Sequence, residues 1–158
     1  MTTEKLNHQN PHLTKWDLRW IQLAEDIKLW SKDPYKKVGC VLVKENRIVS
    51  TGYNGFPNGI ADTAIRLNDK TFKNNVIIHA EKNAIVWAAK EGVSTDGCSA
   101  FITFPPCSGC ASVLIGAGIK RIVCPNLNSY HGSWKDSLTT ASDILYEAGI
   151  PVLYYESL

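Results

Sequence analysis

The chain has 158 residues, 44% hydrophobic and 20% charged, with 17 Lys and Arg against 15 Asp and Glu. That length can bury the core of one ordinary globular domain without staples, and a net charge of +2 excludes the broad basic field that grips nucleic-acid backbones or anionic membranes. The opening Met1-Thr2-Thr3-Glu4-Lys5 leads into no signal-like apolar run and no stretch of about 18 apolar residues follows, so neither a membrane nor a nucleic-acid partner is expected and the location predicted is cytoplasmic.

Residues 1–14 are polar and aperiodic and read as a tail, with a single domain over 15–158. Thr14 with Asp17 three positions on resembles a capping box, and Trp16, Trp20, Leu23, Ala24, Ile27 and Trp30 recur at helical spacing, which predicts an amphipathic first helix. It stops near Ser31-Lys32-Asp33-Pro34, because proline turns the residue before it away from the helical region. Val38–Val43 and Arg47–Tyr53 are β-rich runs flanking Lys44-Glu45-Asn46, a hairpin signal. Asn54 to Asn75 shows no strong periodicity and reads as a long loop, of the kind that is usually functional. A second helix fits Ile78–Glu91, with Ala80, Ala84, Trp87 and Ala88 on one face. Ala100–Phe104 is a strand, and Pro105-Pro106 opens a third helix from about Cys107 to Ala117. Arg121–Cys124 is a strand, Leu138 to Ala148 a fourth helix closed by Gly149, and Val152–Tyr155 a last strand. Strands alternating with helices after the hairpin imply right-handed crossovers, hence an α/β chain folded as a three-layer α/β/α domain around a partly parallel, mixed five-stranded sheet.

Five cysteines are an odd number for disulfide pairing, and in a reducing compartment they are more often ligands, nucleophiles or core residues. Cys40 and Cys124 fall inside strands as small hydrophobes, and Cys98 lies in a turn as a bystander. Cys107-Ser108-Gly109-Cys110 by itself fits a redox dithiol, half of a zinc ribbon or a coincidence of the core; no second C-x-x-C completes a ribbon. His79 by itself is equally well a satisfied helix-end histidine. Helix starts, however, lie at the carboxyl edge of the strands, where open α/β sheets build their sites. There His79, Cys107 and Cys110 would supply three ligands to a zinc ion and leave its fourth tetrahedral position to water, the catalytic arrangement. Glu81, two residues past His79, would stand near such a metal without binding it. Two thiolates make a zinc-held water less acidic, so a neighbouring carboxylate is needed to take its proton.

H-x-E with P-C-x-x-C, here His79-Ala80-Glu81 and Pro106-Cys107-Ser108-Gly109-Cys110, is the signature of zinc nucleobase deaminases. Together with Ser31-Lys32-Asp33-Pro34, Val38-Gly39-Cys40-Val41, Gly52-Tyr53-Asn54-Gly55-Phe56-Pro57 and His79-Ala80-Glu81-Lys82-Asn83-Ala84-Ile85, it makes the chain from roughly Trp16 to Val152 resemble the cytidine and deoxycytidylate deaminase superfamily. The Gly52–Pro57 run and the segment after it favour its deoxycytidylate (dCMP) deaminases. The resemblance implies a cytidine deaminase-like fold, hydrolysis of dCMP to dUMP and ammonia, one catalytic Zn2+ per chain and Glu81 as general acid and base. It places Asn54 at the sugar or base of the substrate and Tyr130 near its phosphate. It also implies a homo-oligomer, hexamer or dimer, with dCTP activating and dTTP inhibiting near the Gly-rich loop. The alternatives are deamination of another nucleoside, nucleotide or nucleobase, or an inactive nucleotide-binding sensor on the same fold. Asn58 stands where relatives commonly carry Arg, and Ala64–Asn75 holds no Cys or His for the additional structural zinc of some phage relatives. Lys32, Lys36 and Lys37 could meet a phosphate, but short basic clusters are usually solvated surface and they are left outside the site.

Overall fold

The computed structural model describes residues 13–126 and 132–156. Helix α1 (Lys15–Lys28) begins with the capping box read from the sequence: Thr14 Oγ1 accepts from the Asp17 N–H at 3.1 Å, and the Asp17 carboxylate accepts from the Thr14 N–H at 2.9 Å. The face it buries is Leu18, Ile21, Ala24 and Ile27. Of the stripe expected from the sequence, Ala24 and Ile27 lie on that face and Trp20 and Leu23 pack partly buried against it, whereas Trp16 is 42% and Trp30 64% exposed, the latter beyond the end of the helix. Gly39 of strand β1 (Gly39–Lys44) lets the backbone of Ala24 and Lys28 come so near that a Cβ there would collide with it, which sets the closest approach of α1 to the sheet at its smallest core residue, Ala24. Leu13, just before the cap, is buried in the same cluster.

Strand β1 turns into β2 (Arg47–Tyr53) through Glu45 and Asn46, both at positive φ (51° and 55°), a tight hairpin whose twist matches the strands. The segment expected to be a long loop instead contains two short helices, α2 (Ala64–Asn68) and α3 (Lys70–Val76). Each is started by a side-chain cap, from Thr63 and Asp69. Phe72 is held edge-on to Phe56 with ring centroids 5.7 Å apart, and Leu67 is buried. Helices of five and seven residues are too short to show a periodicity.

The remaining elements are α4 (Ala80–Lys90), β3 (Ser99–Ile102), α5 (Ser108–Gly116), β4 (Arg121–Pro125), α6 (Lys135–Glu147) and β5 (Val152–Tyr155). The sheet runs β2-β1-β3-β4-β5, with β1 antiparallel to both neighbours and β3, β4 and β5 parallel, so the expected mixed five-stranded sheet is present. Alternate strand residues feed two cores. Val41, Val43, Phe101 and Val123 pack on α1, while Cys40, Leu42, Ala100, Ile102, Ile122 and Cys124 pack beneath α4, α5 and α6. Cys98, expected to be a bystander in a turn, is fully buried in the second core immediately after the Asp96-Gly97 turn. Among the described residues no helix is long and apolar enough to cross a membrane.

Candidate metal centre and active site

Strands β2 and β3 run in the same direction, so the helices entered from their carboxyl ends, α4 and α5, start at one edge of the sheet. Helix α4 is pinned to β2. Gly52 leaves no room for a Cβ against Ala80 and Ala84, the Ser50 hydroxyl donates to the Ala84 carbonyl at 2.7 Å, and the Asn83 amide donates to the Tyr53 carbonyl at 2.7 Å. His79 and Cys107 occupy the N-cap positions of α4 and α5 in extended backbone, and neither side chain is used as a cap. Both are free to point between the helices, where the unpaired N–H groups and positive ends of two helices favour thiolates.

His79 Nδ1 lies 3.5 Å from Cys107 Sγ and 3.3 Å from Cys110 Sγ, and the three donor atoms all fall within 4.8 Å of one another. Tetrahedral zinc with Zn–S of about 2.3 Å and Zn–N of about 2.0–2.1 Å has N···S edges of about 3.5 Å. The cluster therefore fits one zinc ion, with one histidine and two cysteines leaving a fourth position for a small ligand. Cys107 is the readier thiolate: the hydrogen bond from Cys110, with help from His79, brings its thiol down to about 3, and that same thiolate pushes Cys110 up. The hydrogen bond to Cys107 raises the pKa of His79.

Glu81, in the first turn of α4, is 4% exposed. Burial lifts its carboxyl to about 7, within reach of either protonation state near neutrality. It faces a cavity of about 160 Å³ together with His79 and Cys107. Phe104 and Trp134 form an aromatic wall, edge to face at 6.0 Å, with the Trp134 ring 6.3 Å from His79. Asp33, Lys36, Asn54, Lys73 and Asn74 line the polar side. Drug-sized ligands occupy pockets of about 300 Å³ or more, so this volume suits a single small ring with the rest of its molecule reaching outward. A larger groove of about 540 Å³, between β2 and the outer face of α4, contains none of the metal donors.

The cavity brings together four of the six residues predicted for the site, His79, Glu81, Cys107 and Asn54, while Cys110 joins them through its sulfur beside His79. Tyr130 lies outside the described residues. Asn54 is buried, and its side chain is engaged within the protein: Oδ1 accepts from the Val38 N–H at 2.8 Å, and Nδ2 donates to the Lys36 carbonyl at 2.8 Å and towards Asp33 Oδ2 at 3.4 Å. Asp33 Oδ1 also accepts from the Tyr35 and Lys36 N–H groups and pairs with Lys73 Nζ at 3.1 Å, one of four ion pairs among the described residues. Asp33, Lys73, Phe104 and Trp134 were not predicted for the site. Only Asp33 carried a signal, through its place before Pro34 in a recognisable run, whereas Lys73 sits in a segment read as loop.

Two helix N-termini at one sheet edge, delivering a histidine and two cysteines beside a buried glutamate, define a zinc-dependent deaminase. The model of the cytidine and deoxycytidylate deaminase zinc-binding region matches residues 14–125, and the chain belongs to this family. It is 36% identical over 143 residues to an uncharacterized deaminase of Aliivibrio fischeri, covering 90% of this chain and 95% of that one. It is 38% identical over 127 residues to the deoxycytidylate deaminase of Homo sapiens, covering 76% of this chain and 68% of that protein. Among solved structures, the dCMP deaminase of cyanophage S-TIM5 in complex with dCMP and dUMP is similar with a TM-score of 0.76 and 30% identity, over 90% of this chain and 99% of that one.

Proposed function

We propose that the chain deaminates dCMP to dUMP, consuming one water and releasing one ammonia, with His79, Cys107 and Cys110 holding one zinc ion. The observation that carries the reading is the placing of Glu81, buried in the cavity wall immediately beside the three metal donors. Relatives and a structural neighbour named for this reaction support dCMP as the substrate. Zinc, when bound, supplies the Lewis acidity that makes a water nucleophilic near neutral pH. The Glu81 carboxylate receives a proton from the attacking water and carries it to the ring nitrogen N3, then takes the remaining proton from the hydroxyl added at C4 and passes it to the leaving amine, so that the C4–N bond breaks as the C4 carbonyl forms. Phe104 and Trp134 flank the base and exclude water from it, while the Asn54 network holds the backbone of Lys36 and Val38 in the cavity lining.

We further infer that residues 15–158 form one catalytic domain behind a tail of residues 1–14, that the enzyme is a cytoplasmic homo-oligomer, dimer or hexamer, and that Tyr130 serves the phosphate end. The groove between β2 and α4, lined by Tyr53, Gly55, Pro57 and Asn58 of the Gly-rich loop, supports dCTP or dTTP as effectors. Ammonia release from the zinc-loaded protein with dCMP, deoxycytidine, dCTP and guanine tests the assignment. Turnover is expected with dCMP above the others; robust turnover of another compound with none of dCMP overturns it.

A further inference from the structure

We propose that Lys36 is the residue by which this enzyme selects a 5′-monophosphate over the corresponding nucleoside. The inference rests on dCMP being the substrate and assigns to one side chain what the fold leaves open. Of Lys32, Lys36 and Lys37, only Lys36 lines the catalytic cavity; Lys32 is turned outward, paired with Asp62 at 2.9 Å. Lys36 is also held where it is. Its N–H donates to Asp33 Oδ1 at 3.2 Å and its carbonyl accepts from Asn54 Nδ2 at 2.8 Å, so two buried side chains fasten its backbone from both sides. Asn54 therefore acts on substrate through the residue it clamps.

The side chain of Lys36 reaches along the cavity wall, with its ammonium 3.7 Å from the centre of the Phe104 ring. Phe104 meets Trp134, and Trp134 meets the ligand His79. A run of contacts thus leads from the Lys36 ammonium through two aromatic rings to a metal donor, and a nucleotide with its base at the metal and its phosphate at Lys36 would follow the same run. The charges follow the same order. Glu81 and the two cysteines make the metal end electron-rich, which suits a neutral cytosine. Lys73, which also lines the cavity, is tied to Asp33 at 3.1 Å. Partial desolvation lowers the pKa of the Lys36 ammonium, and a phosphate beside it would favour the charged form.

The test is Lys36→Met, which keeps the apolar stem on Phe104 and removes the charge, with Lys36→Arg beside it and Lys37→Met as the control, since both lysines are exposed but Lys37 is not in the cavity lining. For each, kcat/KM is measured with dCMP and with deoxycytidine, and zinc content and Tm report the fold. The wild type is expected to prefer dCMP, and K36M to lose about 50-fold on dCMP, the worth of one charged hydrogen bond, with deoxycytidine unchanged. K36R is expected to recover most of the loss and K37M to show none. An unaltered dCMP-to-deoxycytidine ratio in K36M, or an equal loss in K37M, overturns the role of Lys36 and leaves the dCMP reading standing. A wild type that does not prefer dCMP overturns both.

Discussion

Gly52→Ala probes the joint between the sheet and the metal centre. An ideal Cβ at Gly52 would stand 3.1 Å from Ala84 Cα and nearer still to the Ala80 carbonyl oxygen and the Ala84 nitrogen, all of them backbone of α4. Backbone cannot swing aside as a side chain does. Restoring a separation of about 3.5 Å therefore moves the first turns of α4 by about 1 Å away from β2. Overpacking of this kind costs about 2 kcal/mol, or about 4–8 °C in Tm for a chain of this length. The same displacement carries His79 and Glu81, because they begin that helix, and a misplacement of about 1 Å costs about a hundredfold in rate. Gly39→Ala is the matched control: its Cβ would meet the backbone of Ala24 and Lys28 in α1, on the opposite face of the sheet. Thermal unfolding, chelator competition for zinc and kcat should separate the two. Both variants should lose Tm, and G52A should also lose zinc affinity and turnover while G39A keeps far more of both. A G52A protein with wild-type Tm and zinc retention would refute the reasoning.

Glu81→Gln should keep zinc close to one ion per chain while kcat falls by about a thousandfold, as expected when a general acid and base is lost; metal analysis beside steady-state kinetics checks it, and an active variant would remove Glu81 from the mechanism. Cys107→Ala should lose both metal and Tm, and EDTA should lower the Tm of the wild type but not of the variant, since binding energy at such a site is folding energy. Lys73→Met should destabilise the protein by about 3 kcal/mol, because it leaves the buried Asp33 without the ammonium 3.1 Å away. The double change Asp33→Asn with Lys73→Met should cost less than the two single changes added together, and additive denaturation midpoints would show the pair to be uncoupled.

The main errors of the sequence reading share a cause. Trp16 and Trp30 satisfy a helical period as well as Leu18 and Ile21 do, yet they stand at the two ends of α1 and stay exposed, because the period gives a face but not how far the sheet extends beneath it. Helices α2 and α3 were hidden because their caps and the Phe56–Phe72 contact stabilise turns too short to be periodic. Cys98 follows a turn in the chain but faces the core in space. Asn54, singled out in the sequence, lines the cavity, whereas its partners at Val38, Lys36 and Asp33 were not legible, because they lie 16 to 21 positions away.

The chemistry of the metal centre is local in the chain, and the sequence determined it. Histidine with glutamate two positions on, and two cysteines three apart after a proline, name their donors wherever a helix start follows a strand. The alternation of strands and helices determined the layers in the same way, since hydrophobic period is a property of neighbouring residues. Only the tertiary structure decided what the site looks like from the substrate's side. It brought Nδ1 of His79 within 3.5 Å of both sulfurs, stood Trp134 and Phe104 beside them, and turned one lysine of three into the cavity. Those relations join residues far apart in the chain, and they exist only once the sheet has ordered the helices along its edge.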